Sequence, residues 1–370
     1  MTDHGPTPPV DLDAAGLRVL ADAALVLLGR DIAGFLGDLA AARDRAEQSA
    51  AGLSVAEDRD RGCEDRAVSA AGSALDLFQQ QRPRLVGIAY RMLGSATDAE
   101  DVLQDAWLRW SGVDVAAVAD PGAYLARTVT NLCLNALDSA RVRREVYVGP
   151  WLPEPVLTGP GSELGPLEDA VQRESVAFAL LVLLERLTPT ERAAYVLCEA
   201  FGYSSREAGE LIGTTDANVR QLLTRARKHV GRAPAQPVDE VQWRSLVERF
   251  LGAARDGDVA GLAELLTVGV TVRSDGGGRV TAARNPVRGR DKVVRYVVGV
   301  VDRFAVDMMP GVVEVNGAPA VVATVGGTLQ GVWFVHTDGE RVTGVDAVLN
   351  PDKLAAVAAQ LSRIRKLSGL

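Results

Sequence analysis

Apolar positions step by three and four along most of this chain and by two only in its C-terminal third. After a Pro-rich tip, Leu17, Leu20, Ala24, Leu27, Leu28, Phe35, Leu36 and Leu39 trace one helical face, and the small, acidic stretch from Ser49 to Gly72 reads as a tether. From Leu75 the stripe strengthens through Phe78, Leu85, Ala89 and Met92, and Gly94 stops it. Thr97-Asp98-Ala99-Glu100 reads as a capping box opening a helix buried through Val102, Leu103, Ala106, Trp107 and Trp110. Asp120-Pro121 opens a third helix, buried through Leu125, Val129, Leu132, Cys133, Ala136 and Leu137. Periodicity vanishes over 145–170, where Pro150, Pro153, Pro155, Pro160 and Pro166 mark a linker. It returns from Leu167 to Val230 and breaks again over 233–237.

The pattern then changes character. Helical stretches over Val241–Ala254 and Val259–Leu266 lead into β-rich runs at Val268–Arg273, Gly311–Val315, Ala320–Val325, Thr328–His336 and Arg341–Leu349. Asp338-Gly339 is a hairpin signal, so helices followed by an antiparallel meander are predicted, an α+β unit. The tail from Leu354 is helical. The predicted organisation is a helical or flexible extension over 1–74, an all-α unit over 75–145, a linker over 146–170, a second all-α unit over 171–232, an α+β unit over 239–350 and a helical tail over 351–370.

Composition sharpens this. The chain has 370 residues, 47% of them hydrophobic, and a net charge of −8, which argues against a protein that coats nucleic acid through bulk positive charge. Cys63, Cys133 and Cys198 lie far apart with no C-x-x-C spacing, which excludes a disulfide framework or a Cys-based zinc site and suits a reducing cytosol. No cofactor or metal is implied. No apolar run approaches the ~18–20 residues that span a bilayer, so a cytoplasmic protein with no membrane partner is expected.

The charge is uneven. Residues 1–74 hold 7 basic against 13 acidic side chains, whereas 206–232 hold 6 basic against 3 acidic. That basic segment carries the clearest motif. Ser204-Ser205-Arg206-Glu207 is a capping box, Gly213-Thr214-Thr215 a tight turn, and Asp216 starts a second helix; Gly209, Gly213 and Val219 stand where a helix-turn-helix needs a small residue, a turn glycine and a buried anchor. Val219, Leu222, Leu223, Ala226 and Val230 face inward. Asn218, Arg220, Gln221, Thr224, Arg225, Arg227 and Lys228 face outward, where early polar residues reach base edges and late cations clamp phosphates. An ordinary helix pair with a solvated basic face is the competing explanation.

A second constellation lies upstream. The helix from Asp98 exposes Asp101, Gln104 and Asp105, while the helix from Pro121 exposes Tyr124, Thr128, Asn131, Asn135 and Asp138 and ends in Arg141, Arg143 and Arg144. An aromatic, amides and a terminal basic cluster suit melted or single-stranded nucleic acid, against the alternative of a solvated polar face.

Residues 75–232 resemble a bacterial RNA polymerase sigma factor of the extracytoplasmic-function group. DAEDVLQDAWLRW resembles the region 2 segment that docks on the clamp of core polymerase, which implies core binding by Asp101, Gln104 and Asp105. DPGAYLARTVTNLCLNALDSARVRRE resembles the segment that melts and reads the −10 element. LTPTERAAYVLCEAFGYSSREAGELIGTTDANVRQLLTRARKHV resembles region 4, which reads the −35 element. The linker's WLPEP, with DGGGR at Asp275–Arg279 and NPDKL at Asn350–Leu354, is similar to the marks of the sigma-J-type subgroup with a fused SnoaL-like domain. The resemblance implies two all-α sigma domains followed by a cone-shaped α+β domain over 239–350 that modulates the sigma module in cis. It implies regulatory contacts by Trp151, Pro153, Asp275, Gly276, Gly277, Asn350, Pro351, Asp352 and Lys353. The implied partners are core RNA polymerase (the clamp of the largest subunit and the flap of the second), promoter DNA, and a small-molecule ligand in the SnoaL-like pocket. No catalytic residue is assigned.

One alternative stays open: an enzyme or ligand sensor within 239–350. Trp243, Phe250, Trp333 and Phe334 would line its pocket, and His336 would be the acid–base group with Asp346 or Asp275 as companion, although nothing in the spacing pairs them.

Overall fold

The computed structural model describes residues 61–158, 176–231, 239–305 and 307–368. The expected N-terminal helix over 17–39 and the stretch 159–175 lie outside the described residues. The described residues begin with α1 (Arg61–Leu93), followed by α2 (Ala96–Trp110) and α3 (Pro121–Glu145). Helix α1 runs back through 61–72, so the tether expected there is helical. Gly94 ends α1 at φ +66°, donating its N–H to Tyr90 O (2.7 Å). The cap of α2 is Ser95, not Thr97: its hydroxyl accepts from Asp98 N, which leaves Thr97 inside the first turn. Trp110, fully buried, ties α2 to α1 through Nε1–H to Ala74 O (2.8 Å).

Among the described residues, the second helical unit contains α4 (Phe178–Leu184), α5 (Pro189–Tyr195), α6 (Ser205–Ile212) and α7 (Asp216–Val230), with a π-turn over Val196–Ala200. Capping boxes at Thr188/Glu191 and Ser204/Glu207 start α5 and α6. The two helical units share one continuous core, which includes Leu85, Ile88 and Met92 of α1 together with Leu181, Ala193 and Leu197. Arg192 of α5 is buried and donates to Met92 O (2.8 Å) and to Glu185 (2.6 Å). Arg91 lies 5.1 Å over the Phe201 ring and Arg84 4.7 Å over that of Tyr203. Burial lowers Arg91 to about 10 and Arg192 to about 9, both still cationic at neutral pH.

The α+β unit begins with α8 (Glu240–Arg255) and α9 (Val259–Leu265). Strands β1 (Leu266–Asp275) and β2 (Val287–Arg288), helix α10 (Arg290–Phe304), and strands β3 (Met309–Val315), β4 (Ala318–Val325), β5 (Thr328–Thr337) and β6 (Val342–Val348) follow; α11 (Pro351–Ser368) closes the chain. The sheet order is β2-β1-β6-β5-β4-β3. The predicted meander holds for β3–β6, but β1 pairs parallel with β6, so the sheet is mixed. Helix α10 was not anticipated. Its valine-rich sequence favours strands by propensity, yet Val293, Val294, Val297 and Val301 fall on one helical stripe against the sheet, and tertiary burial prevails.

Alternation splits the sheet into two faces. Val270, Val272, Val321, Trp333, Val335 and Val345 meet Trp243, Leu246, Val247 and Phe250 of α8. The opposite face carries Val322, Val332, Phe334 and Val348 and is covered by Leu354 and Val357 of α11, by Leu152 of the linker and by Phe178 and Val182 of α4. Phe178 stacks on Phe334 with centroids 3.7 Å apart and planes within 9°. The α+β domain therefore packs directly on the second helical unit.

Candidate nucleic-acid interface and linker clamp

On α2, Asp101, Gln104 and Asp105 share one exposed face, at the i, i+3, i+4 spacing that makes neighbours on a helix. On α3, Tyr124, Asn135 and Asp138 are exposed and Asn131 is half-buried. The Tyr124 ring leans on Trp110 (5.5 Å between centroids), which fixes the aromatic at the start of the face. Arg141, Arg143 and Arg144 lie on the last two turns of the same helix.

The turn between α6 and α7 has the geometry its glycines suggested. Gly213 sits at φ +82°, and a Cβ on Gly209 would stand 2.8 Å from Thr214 O, so the helices approach only because both are glycine. Thr215 caps α7 through Asn218 N, and the Asn218 side chain donates to Thr214 Oγ1 (2.8 Å). Arg220, Gln221, Thr224, Arg225, Arg227 and Lys228 are exposed. Three of these arginines already hold internal carboxylates: Arg220 pairs with Asp216, Arg225 with Glu191 (3.5 Å), and Arg227 with Glu199 (2.6 Å). All three pairs are solvent-exposed on the arginine side, and the carboxylates of Asp216 and Glu199 are exposed as well, whereas Glu191 is buried.

The linker is clamped. Asp275, fully buried at the end of β1, accepts from Tyr147 Oη (2.6 Å), Leu152 N (2.8 Å), Gly277 N (3.1 Å) and Lys353 Nζ (2.8 Å). Lys353 also donates to Leu152 O and sits 3.9 Å over the Trp151 ring and 5.0 Å over that of Tyr147. Burial, together with the hydrogen bond and charge of Asp275, pushes the Tyr147 phenol well above its ordinary range, so it remains a donor. Asn350 donates to Tyr147 Oη (3.0 Å) against Gly277, whose φ of +56° and missing Cβ admit the amide. Gly276 is buried beneath Val280, while Pro351 is exposed and Asp352 pairs with Arg279 at the surface (3.1 Å). Thus Trp151, Asp275, Gly277, Asn350 and Lys353 converge on one point, and Pro351 and Asp352 stay at its rim.

Glu154 binds the linker's other side to the first helical unit. Its carboxylate accepts from Ser95 Oγ (2.9 Å) and Thr97 N (3.0 Å), and its own N–H donates to Gly94 O (2.8 Å). Pro153 is buried beside it. Tyr147 and Glu154 were not singled out from the sequence, although Glu154 lies within WLPEP.

The proposed aromatic pocket is not formed as expected. Trp243, Phe250 and Trp333 lie on the α8 side of the sheet and Phe334 on the other, because adjacent strand residues point to opposite faces. His336 and Asp346 do meet, at 2.8 Å, and Arg273 adds a bidentate pair to the same carboxylate (2.5 and 2.6 Å). Asp275 belongs to the lysine clamp instead. Burial raises the Asp346 carboxyl, but the His336 hydrogen bond and charge and the Arg273 pair outweigh it and hold Asp346 below its ordinary range.

Two helical units with a helix-turn-helix, joined to an α+β domain through a clamped linker, define a promoter-recognition module with an appended domain. The chain matches Sigma-70 region 2 over residues 77–143 and Sigma-70, region 4 over 177–230. It is 38% identical over 291 residues to the ECF RNA polymerase sigma factor SigJ of Mycobacterium tuberculosis, covering 75% of this chain and 91% of that one. It is 30% identical over 288 residues to a probable ECF RNA polymerase sigma factor SigI of the same species, covering 77% and 96%. The crystal structure of M. tuberculosis SigJ aligns at TM-score 0.61 and 34% identity, over 76% of this chain and 98% of that one. The chain belongs to the ECF RNA polymerase sigma factors, proteins of promoter recognition and transcription initiation. Among the described residues no helix is long and apolar enough to cross a membrane.

Proposed function

We propose that this sigma factor is held closed by its own C-terminal domain and opens to engage a promoter. In this reading Asp101, Gln104 and Asp105 dock the clamp of the largest subunit of core polymerase, and the second helical unit meets the flap of the second subunit. The Tyr124–Arg144 face captures the melted non-template strand of the −10 element, where unstacked bases find an aromatic and backbone finds arginine. The exposed face of α7 reads the −35 element in the major groove. The protein works in the cytoplasm, where core polymerase is.

Distance supports the closed reading. The −35 and −10 elements are about 25 base pairs apart, roughly 85 Å of B-DNA. A module of this size is roughly 40 Å across. With α3 packed on α6 and Arg91 against Phe201, the two units cannot occupy both elements at once. In this reading the linker leaves its clamp as they separate. The observation that carries the proposal is that Asp275 and Lys353 bind the linker backbone at Leu152 on both its N–H and its C=O.

The test is in vitro transcription with core polymerase, comparing the full chain with Lys353→Met. Loosening the clamp raises promoter-specific transcript several-fold. Equal output from both proteins, each still folded, contradicts closure as a regulatory device.

A further inference from the structure

The turn between β3 and β4 is Asn316-Gly317, with φ of +54° and +71°, the backbone of a two-residue hairpin turn. Such tips ordinarily face water. Here Asn316 is fully buried, between the two sigma units. Its Nδ2 donates to Tyr90 Oη on α1 (2.6 Å) and to Val176 O ahead of α4 (3.0 Å), its Oδ1 accepts from Val156 N in the linker (3.2 Å), and its N–H donates to Val156 O (2.9 Å). Tyr90 passes the chain on, donating to Glu154 O (2.7 Å), and Gly317 N donates to Thr158 Oγ1 (2.7 Å). One side chain from the third domain thus satisfies region 2, the linker and region 4 simultaneously, with both amide protons used.

We propose that the Asn316-Gly317 turn is a closure pin, an internal docking site at which the C-terminal domain holds region 2 against region 4. The site is separate from the Asp275–Lys353 clamp: it lies on the opposite edge of the sheet, on β3 and β4 rather than β1 and α11. It is also chemically different. The clamp is ionic, whereas the pin is a neutral amide between a phenol and a carbonyl. Burial holds the Tyr90 phenol far above its ordinary range, so neither partner changes charge with pH. Withdrawing the hairpin leaves Tyr90 Oη without its Asn316 donor and Val176 O without this bond, inside a core shared by both units, so the pin and the interface release together. The regulatory consequence rests on the closed-state reading above; the pin itself does not.

Asn316→Gly is the direct probe, because glycine keeps the positive φ of the turn and deletes only the amide. Tyr90→Phe removes the hydroxyl from the other side and leaves the hairpin untouched. Fluorophores carried by unnatural amino acids at the exposed positions Ser111, just after α2, and Lys228 on α7 report the separation of the two units in the full chain by single-molecule energy transfer. The open fraction is expected to rise about tenfold in Asn316→Gly, the factor that loss of ~1.4 kcal/mol produces, and in the same direction in Tyr90→Phe. Unlabelled variants are then assayed with core polymerase. Opening with altered transcription supports the pin and the closed-state reading. Opening with unaltered transcription supports the pin and contradicts that reading. Energy-transfer histograms matching wild type in both folded variants overturn the pin.

Discussion

Lys353 and Asp275 show how much one buried contact decides. Neither is solvated, and each satisfies the other while binding both sides of the Leu152 peptide. Replacing lysine by methionine keeps the bulk and leaves a buried carboxylate without its cation, so Lys353→Met is expected to lose ~3–5 kcal/mol in denaturant unfolding. Tyr147→Phe removes a single hydroxyl and should cost about 1 kcal/mol in the same measurement. The Asp346 carboxylate makes a separate prediction. Its folded pKa lies below the unfolded value, so its contribution is present above the unfolded carboxylate range and is lost as pH falls through the folded pKa. Stability measured from pH 7 downward should therefore decline more steeply in the native protein than in Asp346→Asn; parallel curves would remove Asp346 as a source of acid sensitivity.

At the scale of elements, the helix-turn-helix was legible because its requirements are local. A capping box, a turn glycine and a 3–4 stripe fix α6 and α7 before any tertiary contact forms, and the structure realises each. Gly209→Ala should cost ~1–3 kcal/mol, since the added Cβ meets a backbone carbonyl that cannot yield, and should weaken promoter binding in a mobility-shift assay of the polymerase complex. Arg225→Ala removes one outward cation and should lower the slope of log affinity against log salt by about 1. Helix α10 was illegible for the opposite reason: a valine-rich run has strand propensity, and only its one-sided burial against the sheet makes it helical. Asn316-Gly317 falls in the gap between the runs Gly311–Val315 and Ala320–Val325, and nothing local in that gap shows that its tip is buried between two other units.

At the scale of the molecule, charge and length take on specific meaning. The acidic total of −8 remains incompatible with a DNA coat, while exposed basic residues concentrate on α7 and three more arginines occupy the last two turns of α3. The DGGGR and NPDKL segments, 76 residues apart from Asp275 to Pro351, meet because β1 pairs parallel with β6 and delivers both to the same end of the sheet. The family resemblance marks both segments as regulatory contacts, but sequence spacing carries no information about the parallel crossover that joins them. The same topology places the His336–Asp346–Arg273 cluster on the sheet face turned toward α11 and α4, away from the α8 core, so the strands' register separates Phe334 and this cluster from Trp243, Phe250 and Trp333.

A sigma factor carries promoter specificity to core polymerase. The most direct measurement is transcription by core enzyme from a library of genomic promoters, with the full chain as the added factor and Arg220→Ala/Arg225→Ala as control. Discrete start sites that depend on the chain are expected, with transcript from them at least tenfold lower in the control. A folded chain that binds core polymerase yet yields no start site beyond core enzyme alone would contradict that expectation.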